Sequence, residues 1–341
     1  MLRRAIAGAA LVTSLAVSAQ AASIDDPYFD ELFVFGDSLN DCCINPAAPF
    51  TNGPDTWLVE FADLIGATYE ESTVYNYATG GAQSGTDNAI APGGVPAPDG
   101  LQSQIDRFQA DAPAVDSRDM AVIWVGTNDI WASSYLGDTL FGLPGLDVVK
   151  PLGQTPGVEE LAGYIAGNIR TAVEDLRDAG FGNALLLTPY DIGDSALVDD
   201  IPAGPERNTA YSEALVEAMQ TLYTPGIDTY VLDVVELIRD LQAGAPENGF
   251  LELGTFPSCS FGDILCSDRD EAEQDTFIYF DFVHLTRATN SEVARAAASL
   301  VKEGDPLAPV PLPAGLWLLA SALGASAVTA HRASRTRRRR A

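Results

Sequence analysis

Histidine is nearly missing from this chain. Its 341 residues include two, His284 and His331, and the second lies in an arginine-rich tail. The body therefore offers one imidazole as a base near neutral pH. The same scarcity excludes a zinc site built from several histidines. Cysteine is sparse too: Cys42, Cys43, Cys259 and Cys266 lack the mixed ligands that a metal centre needs. No metal is expected. Basic side chains are scarce where nucleic acid would need them. All 48 Asp and Glu fall between Asp25 and Asp305, while 8 of the 19 Lys and Arg fall outside, leaving that stretch at a formal −37. Such a surface repels polyphosphates and anionic lipid at low salt, so nucleic acid is excluded as a partner. No repeat of fixed period occurs, which removes solenoids and propellers.

The two ends read as addresses rather than as fold. Arg3 and Arg4, the apolar run Ala5 to Val17 and the small-x-small site Ala19-Gln20-Ala21 form a secretion signal over 1–21. Near the other end, Val310-Pro311-Leu312-Pro313-Ala314 precedes an apolar stretch, Gly315 to Ala330, and then Arg332, Arg335 and Arg337 to Arg340. As a helix the stretch from Ala314 would span about 25 Å, at the short end for a bilayer, with its arginines cytoplasmic. This tail resembles the PEP-CTERM class of sorting signals in its Val-Pro-Leu-Pro-Ala variant. The resemblance implies a transient membrane anchor, removed by a sorting protease of the exosortase type, and a product at the cell surface or outside. A permanent tail anchor is the alternative. Between the ends, 22–303 has the size of a single α/β domain, and 304–341 holds linker and tail.

Export permits disulfides. Four cysteines allow three pairings, and the closeness of Cys259 and Cys266 in a Ser/Gly/Asp-rich loop favours a local bridge. Cys42 and Cys43 would then form a strained vicinal bridge or stay as thiols; cross-links between the two segments are the other arrangement.

Five short, continuous apolar runs read as strands buried on both faces: Leu32 to Phe35, Val74 to Tyr77, Ala121 to Val125, Ala184 to Leu187 and Thr229 to Leu232. Helical stripes lie between them. Trp57, Phe61, Leu64 and Ile65 form one, stopped by Gly66; Leu161, Ile165, Ile169, Ala172, Val173 and Leu176 form another, stopped by Gly180. Pro205 to Tyr223 and Thr286 to Val301 supply two more. This alternation predicts a parallel sheet with helices on both faces and a site at the carboxyl ends of the strands. The segments 78–98 and 126–156 are rich in Gly and Pro and are expected as loops with little helix or strand of their own.

Four motifs fall where that rule points. Gly36-Asp37-Ser38 follows the first run, so Ser38 can expose its Oγ at the edge of the sheet. Asn76-Tyr77-Ala78-Thr79-Gly80-Gly81-Ala82 follows the second, and its glycines let a backbone N–H approach a developing oxyanion. Gly126-Thr127-Asn128-Asp129 follows the third, with an amide side chain at Asn128. Late in the chain comes Asp281-Phe282-Val283-His284, where a turn can bring the carboxylate to Nδ1 while Nε2 faces a serine.

In order and content these blocks resemble the GDSL family of lipases and esterases, within the SGNH hydrolases. The resemblance implies a three-layer, flavodoxin-like α/β fold with a five-stranded parallel sheet. It implies Ser38 as nucleophile, His284 as base and Asp281 as orienter. The oxyanion hole would be the N–H groups of Ser38 and Gly81 and the side chain of Asn128, and the substrate an ester or lipid. An acyltransferase or polysaccharide deacetylase would use the same residues, and a non-catalytic matrix protein need not keep them. Two positions depart from the family pattern: Leu285 stands where proline is usual and Asn40 where serine is common.

Overall fold

A computed structural model of the chain describes residues 29–309, apart from 42–50, 53–55, 70–74, 93, 96–98, 139–143, 195–202, 246, 251–265, 267–268 and 282. Both terminal addresses, Cys42, Cys43 and Cys259 lie outside the described residues. Cys266 is disulfide-bonded, and each of the other three cysteines falls in an undescribed stretch. No helix among the described residues is long and apolar enough to cross a membrane.

The sheet forms where the apolar runs predict it. Strands β1 (Leu32–Gly36), β3 (Met120–Trp124), β5 (Asn183–Leu187) and β6 (Asp228–Leu232) pair in parallel in the order β1-β3-β5-β6. In register, Val34 faces Val122, Val122 faces Leu185 and Leu185 faces Tyr230. Every residue of β1 and β3 is buried, which requires cover on both faces. The fifth place belongs to the segment around Asn76, which bridges Val34 on the free edge of β1. Val34 N–H donates to the Tyr75 carbonyl and Tyr77 N–H to the Val34 carbonyl, each at 2.8 Å. Among the described residues the sheet thus has four regular strands, with this bridge at the fifth place; residues 70–74, which open the expected strand, lie outside the described residues. Counting the bridge, the order is that of a flavodoxin-like sheet, whose switch point lies between β1 and β3.

The helices fall into two packed groups. Helix α1 (Trp57–Ile65) lies against α8 (Arg287–Glu303). The second group joins α2 (Leu101–Asp111), α3 (Thr127–Ser134), α4 (Val158–Ala179) and α5 (Gly204–Met219), which also touches α6 (Val234–Ala243). A short α7 (Glu271–Gln274) precedes the histidine loop. Phe33 and Phe35, two apart on one face of β1, both meet Phe108 of α2 edge-on, at 5.8 and 5.7 Å between centroids. The stripe on α1 turns slightly from its expected face: Trp57, Leu58, Phe61, Ala62 and Ile65 are buried, while Leu64 is 40% exposed. Gly66 ends α1 in the left-handed conformation, φ +74°, and Gly180 ends α4 likewise.

The two long loops depart from expectation. Residues 126–156 contain α3 and β4 (Leu146–Val148), and 78–98 contain β2 (Ile90–Pro92), paired antiparallel with β4. Under this arm sits a small apolar cluster of Ala89, Trp131 and Ala132. Helix α3 hides from pattern reading because it is buried nearly all round, polar Asp129, Ser133 and Ser134 included. Strands of three residues carry too short a pattern to read.

Candidate active site

Beyond β1 the chain turns at once. Asp37 N–H still donates to the Trp124 carbonyl at 3.0 Å, extending the sheet by one bond. Asn40 and Asp41 then both donate to the Asp37 carbonyl, at 3.1 and 3.0 Å, which folds Ser38 and Leu39 outward. Gly36 makes the approach feasible: its φ is +133°, and a Cβ there would sit 2.0 Å from the Trp124 carbonyl oxygen. Asn40 fixes the far side of the turn. Its Nδ2 donates to the Phe35 carbonyl and its Oδ1 accepts from Trp57 Nε1, each at 2.9 Å. Serine is too short to reach both partners, which accounts for the departure at this position.

His284 arrives from the other end of the chain on a loop closed by a bridge between Tyr279 and Leu285. Phe280 N–H donates to the His284 carbonyl at 2.8 Å and Thr286 N–H to the Ile278 carbonyl at 3.1 Å. Leu285 buries its side chain in the core, which explains an apolar residue here without requiring proline. The buried hydroxyl of Tyr190 donates to the Val283 carbonyl, holding the loop from beneath. Asp281 then orders the imidazole. Its Oδ1 accepts the N–H groups of Val283 and His284, each at 2.8 Å, and its Oδ2 lies 2.7 Å from His284 Nδ1. His284 Nε2 stands 2.9 Å from Ser38 Oγ. Burial opposes the charge of Asp281, but the bond and charge of His284 and the two N–H groups outweigh it, holding the carboxyl below its ordinary range.

The loop after Asn76 reaches the same place. Thr79 N–H donates to the Gly36 carbonyl at 3.1 Å, and Gly80 N–H to Asp41 Oδ2 at 2.8 Å. Gly81 has φ +82°, and among the described residues its N–H meets no acceptor. Ser38 N–H likewise donates to nothing described. Asn128, in the first turn of α3, directs Nδ2 to the Ala82 carbonyl at 3.1 Å and lies 3.4 Å from Asp37 Oδ2. Its neighbour Asp129 accepts both the N–H and the hydroxyl of Ser84 at 2.8 Å, tying the two loops together.

Two fully buried carboxyls lie beneath the site. Burial raises Asp37 to about 7, opposed by the Leu39 N–H and reinforced by Asp129 and Asp41. Burial raises Asp129 to about 7 as well, against the two bonds from Ser84. Among the described residues no group of three or more His, Cys, Asp and Glu could hold a metal.

All five residues singled out in sequence thus lie at one edge of the sheet, on four segments: the turn after β1, the loop after Asn76, the first turn of α3 and the loop before α8. Ser38, His284 and Asp281 form a hydrogen-bonded chain, and Gly81 and Asn128 sit on loops bonded to the Ser38 turn. Sequence reasoning missed the supports: Asp41, Ser84, Asn88 and Tyr190 carry no pattern that separates them from ordinary loop and core residues. Asp37 and Asp129 stood inside quoted motifs, but nothing in one dimension showed them as buried.

A family model described as GDSL-like Lipase/Acylhydrolase matches residues 32–297. The chain belongs to this family. The match to the GDSL-like family takes in the whole stretch from β1 almost to the end of α8. Solved structures are similar to this hydrolase at low identity. Protein YXIM from Bacillus subtilis is 16% identical over 81% of this chain and 57% of that chain, with a TM-score of 0.39. A lipolytic protein of the G-D-S-L family from Veillonella parvula is 14% identical over 80% of this chain and 97% of that chain, TM-score 0.40. Axe2, an acetylxylan esterase from Geobacillus stearothermophilus, is 14% identical over 78% of this chain and 91% of that chain, TM-score 0.38. Comparison with curated protein sequences finds no match.

Proposed function

We propose that this GDSL-family hydrolase cleaves carboxylic esters through an acyl-enzyme on Ser38. The hydrogen-bonded chain from Ser38 Oγ to His284 Nε2 and from Nδ1 to Asp281 carries the reading. At 2.9 Å the imidazole is within reach of the serine proton as Oγ attacks an ester carbonyl. Asp281 accepts from Nδ1, which leaves Nε2 free as the base and later stabilises the imidazolium. Protonated His284 returns the proton to the departing alcohol, and water repeats the cycle on the acyl group.

The oxyanion would be held by the N–H groups of Ser38 and Gly81 and by Asn128 Nδ2, whose second hydrogen would leave its long 3.4 Å contact with Asp37 Oδ2 for the oxyanion. The hydrogen-bond count around the loop favours Gly81 over Gly80, whose N–H is already given to Asp41. Donors of this kind act on charge that appears in the transition state, and losing one typically costs about 10²–10³ in kcat. A panel of p-nitrophenyl esters, short to long, tests the reading with Ser38→Ala as control. Hydrolysis is expected from the native protein and none above background from the variant. A folded Ser38→Ala protein that turns over esters at the native rate refutes it.

A further inference from the structure

The peptide group joining Gly80 and Gly81 is flanked by two glycines, so rotating it meets little steric resistance. Something must hold it if the Gly81 N–H is to keep one direction. Asn88 is placed to do so. Its Nδ2 donates to the Gly80 carbonyl at 2.7 Å, and its Oδ1 accepts from Ile90 N–H at 3.0 Å. The side chain is buried, and a Cβ on Gly81 would come within 2.4 Å of Asn88 Oδ1, so the amide occupies the space that the glycine leaves.

No cis peptide occurs among the described residues, and in a trans peptide the carbonyl and N–H point opposite ways. Drawing the Gly80 carbonyl toward Asn88 therefore turns the Gly81 N–H away from it. The neighbouring groups are already engaged. Gly80 N–H goes to Asp41, Ala82 N–H to the Thr79 carbonyl, the Gly81 carbonyl to Ala89 N–H and the Ala82 carbonyl to Asn128. Of the backbone N–H groups of residues 79–82, that of Gly81 alone meets no acceptor among the described residues, and its peptide plane is the one that Asn88 grips.

We propose that Asn88 is a positioning residue that sets the Gly80–Gly81 peptide so that the Gly81 N–H is presented to the oxyanion. The proposal rests on the reading of Ser38 as nucleophile; Asn88 acts through Gly81 and touches no substrate. It makes the oxyanion donor depend on a side chain from the next turn of the chain, not on the glycine pair alone.

The test uses Asn88→Asp, which keeps the size and the acceptor for Ile90 N–H but replaces the donor with an oxygen facing the Gly80 carbonyl. Asn88→Ala is the second variant. Rates are expressed per serine titrated to completion with a fluorophosphonate, so partial unfolding does not enter. The expected result is a fall in kcat of about 10- to 100-fold, below the loss of a whole donor, with KM changed less than about threefold. Affinity for a boronic acid, which forms a tetrahedral adduct, should weaken by the same factor. A per-serine kcat within twofold of native in both variants overturns the proposal, as does a loss confined to KM. Failure of both variants to fold also overturns it, since Asn88 would then serve the fold. Native ester hydrolysis that survives complete labelling of Ser38 would instead overturn the reading of the nucleophile, and it is visible before either variant is made.

Discussion

Acidification from pH 8 to pH 5 should make this protein more stable, because of the two carboxyls buried beneath the site. Asp37 and Asp129 are each carried from an ordinary 3.8 to about 7, in both cases first by burial. A raised pKa means that the folded state binds a proton where the unfolded chain does not, between about 4 and 7. Stability therefore falls as pH rises through that window and is regained as pH drops. A tenfold change in proton affinity is worth about 1.4 kcal/mol, so each carboxyl accounts for about 4 kcal/mol at most. Asp194, raised to about 6 by burial and by Asp191, acts in the same direction. Asp281 acts in the opposite sense, but its lowered value places its loss below pH 3.8, outside the window.

Half of the gain from one carboxyl, about 2 kcal/mol, would raise Tm by roughly 4–8 °C for a domain of this size. Calorimetry or dye-monitored melting at fixed ionic strength reads the effect, with enough salt to screen the general repulsion among surface carboxylates. Asp129→Asn keeps an acceptor for the Ser84 N–H but cannot titrate, so its Tm should vary less with pH than that of the native protein. A Tm that is flat or falls from pH 8 to pH 5 refutes the reasoning.

Two further outcomes follow from the geometry. Asn128→Ala should lower kcat by about 10² to 10³ with a smaller change in KM, since an oxyanion donor acts mainly in the transition state; steady-state kinetics on a p-nitrophenyl ester decides, and a rise in KM alone would make Asn128 a substrate-binding residue. Gly36→Ala forces a Cβ to within 2.0 Å of the Trp124 carbonyl at φ +133°, so denaturant unfolding should show a loss of about 2–4 kcal/mol, and a loss under about 0.5 kcal/mol would contradict the close approach of β1 and β3.

Much of the sheet was legible because its strands are buried on both faces and so read as unbroken apolar runs. Leu32 to Phe35 and Ala184 to Leu187 differ from the observed strands by a single residue at one end. The long helices were legible through their stripes and glycine stops. Helix α3 was not, since a helix buried on every side has no polar face to set against an apolar one. Ser38, Gly81 and Asn128 could be picked out because their motifs follow the first three apolar runs, His284 because it is the one imidazole of the body and Asp281 because it stands three residues before it, while their roles came from the resemblance to the GDSL family. Their supports could not. That Asn88 grips Gly80 and Ser84 grips Asp129 depends on which loop folds over which, and neither pair has a sequence spacing that chemistry dictates. Asn40 looked like a departure in one dimension and becomes intelligible beside Trp57.

The hydrogen bond between Ser38 and His284 joins residues 246 apart in sequence, and its two ends are braced by the packing of α1 on α8. During synthesis, Ser38 and the loops of Gly81 and Asn128 are all present long before any imidazole is. A ribosome that has made three quarters of the domain has produced a serine with no base, chemically no more reactive than any surface hydroxyl. Among the described residues the last helix packs on the first, so on the proposed mechanism the docking of α8 on α1 accompanies the arrival of the base. On the proposed mechanism, a molecule cut short anywhere before His284 lacks its base, whatever else of it folds.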